Sequence, residues 1–209
     1  MIIISHRGYW LQANEKNTTT AFTRSFNLQL GTETDVRDYC GELVIAHDIP
    51  SGDEITLPAF LDLLHKQPLP LALNIKADGL ASALQTAMSH YNKNHWFVFD
   101  MSIPDMRAHL ASGNPVFARV SEVEPEPVFL NSIAGIWLDA FYNDDWQLER
   151  IESWLNQGKR VCLVSPELHK RDYQPLWQRL REKHYLNDSR LMLCTDFPEE
   201  AQQFFRIPL

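Results

Sequence analysis

The 209-residue chain is 44% hydrophobic and 22% charged, globular averages that exclude a disordered, collagen-like or fibrous protein. Nineteen Lys and Arg stand against 27 Asp and Glu, a net charge of -8 with histidines neutral; an acidic surface repels phosphate backbones, so neither nucleic acid nor a polybasic membrane anchor is expected. Length allows one or two domains, and a chain of this size buries enough surface to fold without a disulfide or metal. The apolar start Met1-Ile2-Ile3-Ile4 stops at Ser5-His6-Arg7, far short of a signal peptide or a span. Cys40, Cys162 and Cys194 form no CxxC pair, and the last two lie in apolar runs, the ordinary setting of inert buried thiols. A reduced, cytoplasmic protein with no integral membrane segment is the expectation.

Along the chain, short apolar runs recur at Ile2-Ser5, Leu43-Ala46, Leu69-Ile75, Trp96-Phe99, Val116-Val120, Ile133-Leu138, Val161-Val164 and Leu191-Cys194. Runs this short, apolar on both faces, suit strands of a parallel sheet covered on each side. Gly31-Val36 leads through Asp38-Gly41 into Leu43-Ala46, and the two pieces are expected to form one bent strand with a tight turn. Between the runs lie helical patterns. Leu80, Ala83, Leu84, Ala87, Met88 and Tyr91 hold helical spacing, as do Tyr173, Leu176, Trp177 and Leu180, and Leu148, Ile151 and Leu155. Thr18-Leu30, Leu57-Lys66, Ile103-Ala111 and Pro198-Phe205 are further candidates, whereas Ser121-Val128 reads as a connection without a helix. Eight strands alternating with helices imply right-handed βαβ units. The predicted fold is α/β, a compact (β/α)8 TIM barrel forming a single domain over residues 1–209, with only ~26 residues per unit.

A barrel carries its reactive groups at the carboxyl ends of its strands, and here each end is polar. The first strand closes in Ser5-His6-Arg7-Gly8; Glu33 and Asp35 lie on the second, whose extension reaches His47-Asp48. Asn74-Ile75-Lys76, Asp100, Arg119 with Glu122, Asp139, Ser165 with Glu167, and Thr195-Asp196 follow at the other ends. Glu33 and Asp35 are two residues apart, so on a strand their carboxylates share one face. Such a pair calls for a proton or a hard, oxygen-ligated cation such as Mg²⁺ or Ca²⁺. Of the eight histidines only His6 and His47 directly follow apolar strand runs; His65, His90, His95, His109 and His184 read as surface residues, and His169, in the loop after the seventh strand, is a weaker candidate. Two histidines near a cation, with Arg7 and Lys76 to hold an anion, fit acid-base chemistry on a phosphate ester.

His6-Arg7-Gly8, Asn17-Thr18, Ala21-Phe22, Gly31, Glu33-Thr34-Asp35-Val36, Gly41, Leu43-Val44 and His47-Asp48, with Thr195-Asp196-Phe197-Pro198 at the end, resemble the glycerophosphodiester phosphodiesterase family in order and spacing. The resemblance is dense over the first fifty residues and returns at the last strand. It implies a (β/α)8 barrel in which His6 and His47 are the acid-base pair, Glu33 and Asp35 bind a divalent cation, and Arg7 contacts the phosphate of a small-molecule phosphodiester. Two departures stand out. The superfamily's carboxylate-x-lysine of the third strand is here Asn74-Ile75-Lys76, with Asp139 or Asp100 as the acid that would compensate. Lys16 replaces a glutamate before Asn17-Thr18, with Glu15 displaced by one. Alternatives are a lyase-type enzyme releasing a cyclic phosphate, and a catalytically impaired barrel that binds a phosphorylated ligand.

Overall fold

A computed structural model describes residues 1–207. Its strands are β1 (Ile2–His6), β2 (Gly31–Tyr39), β3 (Glu42–Ile45), β4 (Leu71–Ile75), β5 (Trp96–Phe99), β6 (Phe117–Val120), β7 (Gly135–Leu138), β8 (Arg160–Val164) and β9 (Leu191–Thr195). The helices are α1 (Thr19–Asn27), α2 (Leu57–Leu63), α3 (Ala81–Ala87), α4 (Ile103–Ala111), α5 (Gln147–Asn156), α6 (Gln174–Arg181) and α7 (Pro198–Phe205). Strands follow the order β5-β4-β2-β1-β9-β8-β7-β6, with β3 off this path. This is the (β/α)8 barrel that the alternation predicts, with seven α-helices among the described residues. No α-helix covers residues 121–128, where two prolines and three glutamates interrupt any apolar period. No helix of the described residues is long and apolar enough to cross a membrane.

One expectation fails. Gly31–Val36 and Leu43–Ala46 are not one bent strand: β2 and β3 pair antiparallel, Val36 opposite Ile45 and Tyr39 opposite Glu42. Cys40 and Gly41, both at positive φ (51° and 87°), form a two-residue turn, which is the backbone demanded of a tight hairpin. Two apolar runs joined by such a turn read as continuous only if the reversal of direction is overlooked.

The described residues pack as two compact units, Ser5–Val116 and Met1–Ile4 with 117–207. In the first, β2 pairs parallel with β4, and β4 with β5. Helix α1 starts on Thr18, whose hydroxyl accepts from the Ala21 amide, and buries Phe22 and Phe26 against Phe60 of α2 at ring separations of 4.6 and 5.8 Å. Ser25 of α1 bonds Ser5 (2.7 Å) and Thr32 (2.6 Å). Because side chains alternate along a strand, Thr32 facing the helix sends Glu33 and Asp35 to the opposite, inner face. In the second unit, β6, β7, β8 and β9 are consecutive parallel neighbours, and Trp177 of α6 packs on Phe204 and Phe205 of α7. Cys162 and Cys194 are buried free thiols, as their apolar surroundings predict.

Candidate active site

Asp35 and Glu33 are 0% and 1% exposed, and everything around them is arranged to answer two buried acids. The Arg7 Nε lies 3.0 Å from Asp35 Oδ2, and the Lys76 ammonium 3.3 Å from Oδ1. Asn17 adds a hydrogen bond from Nδ2 to Asp35 Oδ2 at 2.9 Å, its own oxygen fixed by the Thr34 hydroxyl at 2.9 Å. Glu33 has a thinner shell: the Arg7 amide donates to Oε2 at 3.1 Å. His6 Nε2 lies 3.9 Å from the same oxygen, beyond hydrogen-bond length. Burial first, and the neighbouring Asp35 charge second, push Glu33 up to about 8, against the pull of Arg7 and Lys76. Alone, this carboxyl holds a proton near neutrality; a cation would take the proton's place.

The loop after β1 builds the cradle. Arg7 and Gly8 are both at positive φ (58° and 80°), turning the Arg7 amide onto Glu33 while its side chain reaches Asp35. A Cβ at position 8 would lie 2.9 Å from the Ala21 carbonyl carbon and Cβ, so only glycine lets the loop rest on α1. Asn17, also at positive φ, donates its backbone N–H to the Arg7 carbonyl at 3.0 Å, closing the loop. Asn17 is part of the sequence motif, but its work as a tie between this loop and Asp35 is visible only in three dimensions.

Position 74 is the departure that matters most. Asn74 is the parallel register partner of Asp35, so its side chain stands beside that carboxylate. Its Nδ2 donates to Asp100 Oδ2 at 3.2 Å. A carboxylate can only accept, so this contact fixes which end of the amide is nitrogen and directs Oδ1 away from Asp100. Asn74 Oδ1 is buried and receives no hydrogen bond, and Asp35 Oδ1 is likewise met only by the Lys76 ammonium. Two buried oxygens short of donors, beside the Glu33 carboxylate, form a hard-oxygen donor set that fits a divalent cation. Among the described residues no three of His, Cys, Asp or Glu are placed together to hold a metal ion; the third member of this set is an amide.

The remaining candidates divide. His47 is 45% exposed at its side chain, with Nδ1 2.8 Å from Asp48 Oδ1, and its carbonyl accepts two hydrogen bonds from Arg37. Asp139 belongs to the other unit. Its Oδ1 is taken by His169 Nε2 at 2.7 Å and by the Ala140 amide at 2.9 Å, partners that a strand-end reading does not reveal. Asp100 supports Asn74. The displaced Glu15 is a loop staple: it accepts from the Leu11 amide and pairs with Arg24 at 2.6 Å, which holds it at about 2. Lys16 sits over the Trp10 ring at 4.3 Å. His109, expected at the surface, is fully buried, wedged between Asp105 (3.3 Å) and Asn114 (3.1 Å); helical spacing places it on the inner face of α4, where its polarity masks the burial.

Compared with solved structures, the chain has the fold of several phosphodiesterases. It is similar to a glycerophosphodiester phosphodiesterase from Agrobacterium tumefaciens at 16% identity, TM-score 0.73, over 98% of each chain. A phosphodiesterase of Oleispira antarctica, solved with the product sn-glycerol-3-phosphate, matches at 16% identity and TM-score 0.68, over 99% of this chain and 97% of that one. A candidate glycerophosphodiester phosphodiesterase from Galdieria sulphuraria matches at 16% identity and TM-score 0.73, over 98% and 97%. No protein-family model and no curated protein matches the sequence.

Proposed function

We propose that this protein hydrolyses small phosphodiesters of the glycerophosphodiester type with a divalent cation, Mg²⁺ or Ca²⁺, held by Glu33, Asp35 and the Asn74 amide oxygen. The observation that carries the reading is the single buried cluster in which two acids, Arg7 and Lys76 meet beside His6. The barrel shared with the Agrobacterium and Oleispira enzymes supports it. When bound, the cation supplies Lewis-acid neutralisation of the phosphodiester oxygens.

The chain's own residues do the rest. Arg7 and Lys76, about one-fifth exposed, are held against Asp35 with donors left for phosphate oxygens, where they stabilise charge that develops in the transition state. His6 takes the proton of the attacking water. His47, with Nδ1 turned to Asp48, offers Nε2 to protonate the departing alcohol as its P–O bond breaks. The products are a phosphomonoester and an alcohol. Glu33 and Asp35 carry two negative charges and Arg7 and Lys76 two positive, so the cation's charge is what remains for the substrate. An acid at position 74 would cancel part of it; the amide does not.

The same amide favours a second reading, a barrel that binds phosphorylated ligands with little turnover, because a neutral ligand weakens cation affinity. Glycerophosphoethanolamine incubated with the purified protein and Mg²⁺ or Ca²⁺, followed by ³¹P NMR, separates the possibilities. Glycerol phosphate is expected. A persistent cyclic phosphate would mean lyase-type release, and no cleavage with either cation would overturn hydrolysis and leave the binder.

A further inference from the structure

A cavity in the same unit lies at the opposite end of the strands from the candidate active site. It has a volume of about 670 Å³ and is walled by the connection from α2 to β4 and the connection from α3 to β5. It therefore opens at the amino ends of β4 and β5, whereas Asn74 and Lys76 follow the carboxyl end of β4. Cavities of several hundred Å³ are the size of small-molecule sites.

Its lining is chemically one-sided. Lys66, His90 and His95 contribute basic groups, and none of the described lining residues is acidic, against a chain with a net charge of -8. Two amides add donors. Gln67 Oε1 already accepts from Gln29 at 2.8 Å, and Asn92 Oδ1 accepts from the Asn94 backbone at 2.9 Å. Those contacts fix the amide orientations and leave each NH₂ group to donate. The Tyr91 hydroxyl, held above its ordinary value by burial and by Asp62, stays neutral and donates to the Leu61 carbonyl at 3.5 Å, which leaves its ring as the surface it offers. Leu69, buried, gives an apolar floor. The wall that presents Lys66 has His65 and Lys66 both at positive φ (47° and 61°), a conformation uncommon outside glycine.

We infer that this cavity is a second ligand site, for a small organic phosphomonoester: phosphate toward Lys66 and the two imidazoles, organic body on Leu69 and the Tyr91 ring. Three basic side chains and two amides on the two connections suit the three terminal oxygens of a tetrahedral phosphate better than the two coplanar oxygens of a carboxylate. The site is independent of the reading given to His6 and Asp35.

The test is a two-dimensional NMR titration of the full chain with phenyl phosphate, following the His90 and His95 ring signals, assigned through the alanine variant of each. Saturable shifts are expected, weakened about tenfold or more by Lys66→Glu, since one charge-assisted bond of that kind accounts for such a factor. They should survive Arg7→Ala, which disables only the other phosphate site. Absence of saturable shifts, or equal affinity in Lys66→Glu, would overturn the site. Benzoate binding as tightly as phenyl phosphate would overturn its assignment to phosphate.

Discussion

Replacing Asn74 by aspartate returns a carboxylate to the third strand, and the structure sets its cost. The Asn74 amide donates to Asp100 across 3.2 Å; the aspartate puts a second anion there instead. At an effective dielectric of about 20, two unit charges at that separation repel by roughly 5 kcal/mol. A proton shared between them limits the penalty, because holding a carboxyl of ordinary value near 4 protonated at neutral pH costs about 4 kcal/mol. Without divalent cations, Asn74→Asp is therefore expected to lose about 3–4 kcal/mol of stability at neutral pH. The raised folded-state pKa means that the folded variant binds the extra proton, so its deficit shrinks by about 1.4 kcal/mol per pH unit as pH falls toward 4. Urea unfolding of both proteins in chelator, at neutral pH and at about pH 4.5, measures this, and millimolar Mg²⁺ should restore much of the loss. A variant as stable as the parent at neutral pH, with no recovery in acid, would refute the Asn74–Asp100 geometry and the reasoning built on it.

Glu33 gives a second pH signature. Its folded value near 8 exceeds its unfolded value, so the folded chain holds more protons between about pH 4.5 and 8 and metal-free stability falls as pH rises through that window. Thermal melts in chelator should show that decline, and Glu33→Gln should flatten it. Gly8→Ala combines a positive φ of 80° with Cβ contacts of 2.9 Å against Ala21; a loss of about 2–4 kcal/mol in urea unfolding is expected. His6→Ala and His47→Ala should each lower kcat by about 10²–10⁴-fold, while circular dichroism melts stay near those of the parent.

Most of the fold was legible because a parallel barrel writes itself as short, doubly buried runs separated by helical spacing. The Ile103–Ala111 and Pro198–Phe205 helices lie at their expected bounds because Ser102 and the two prolines at the helix starts mark them. The tight turn before Leu43 was legible, but the reversal that pairs β2 with β3 was not, since Cys40-Gly41 carries it in backbone angles rather than in an Asn-Gly signature. In the site, Glu33 and Asp35 could be placed on one face by counting two residues along a strand. Lys76 could be brought to the end of the strand that carries Asn74, but not to within 3.3 Å of Asp35, because that distance depends on the register between β2 and β4. The partners of Asp139 and Asp100 escaped for the same reason. Such contacts join residues 26 to 30 positions apart, and no local pattern encodes them. His109 shows the converse error, a polar residue assigned to solvent by type when two polar neighbours had made its burial tolerable.

The most direct test of the central claim is the rate of glycerophosphodiester cleavage by chelator-treated protein as Mg²⁺ or Ca²⁺ is added back, run beside His6→Ala and Glu33→Gln. Activity that is absent in chelator, returns with cation in the parent, and stays low in both variants is the predicted result. Cleavage that proceeds equally in chelator, or that survives loss of His6, would contradict the account.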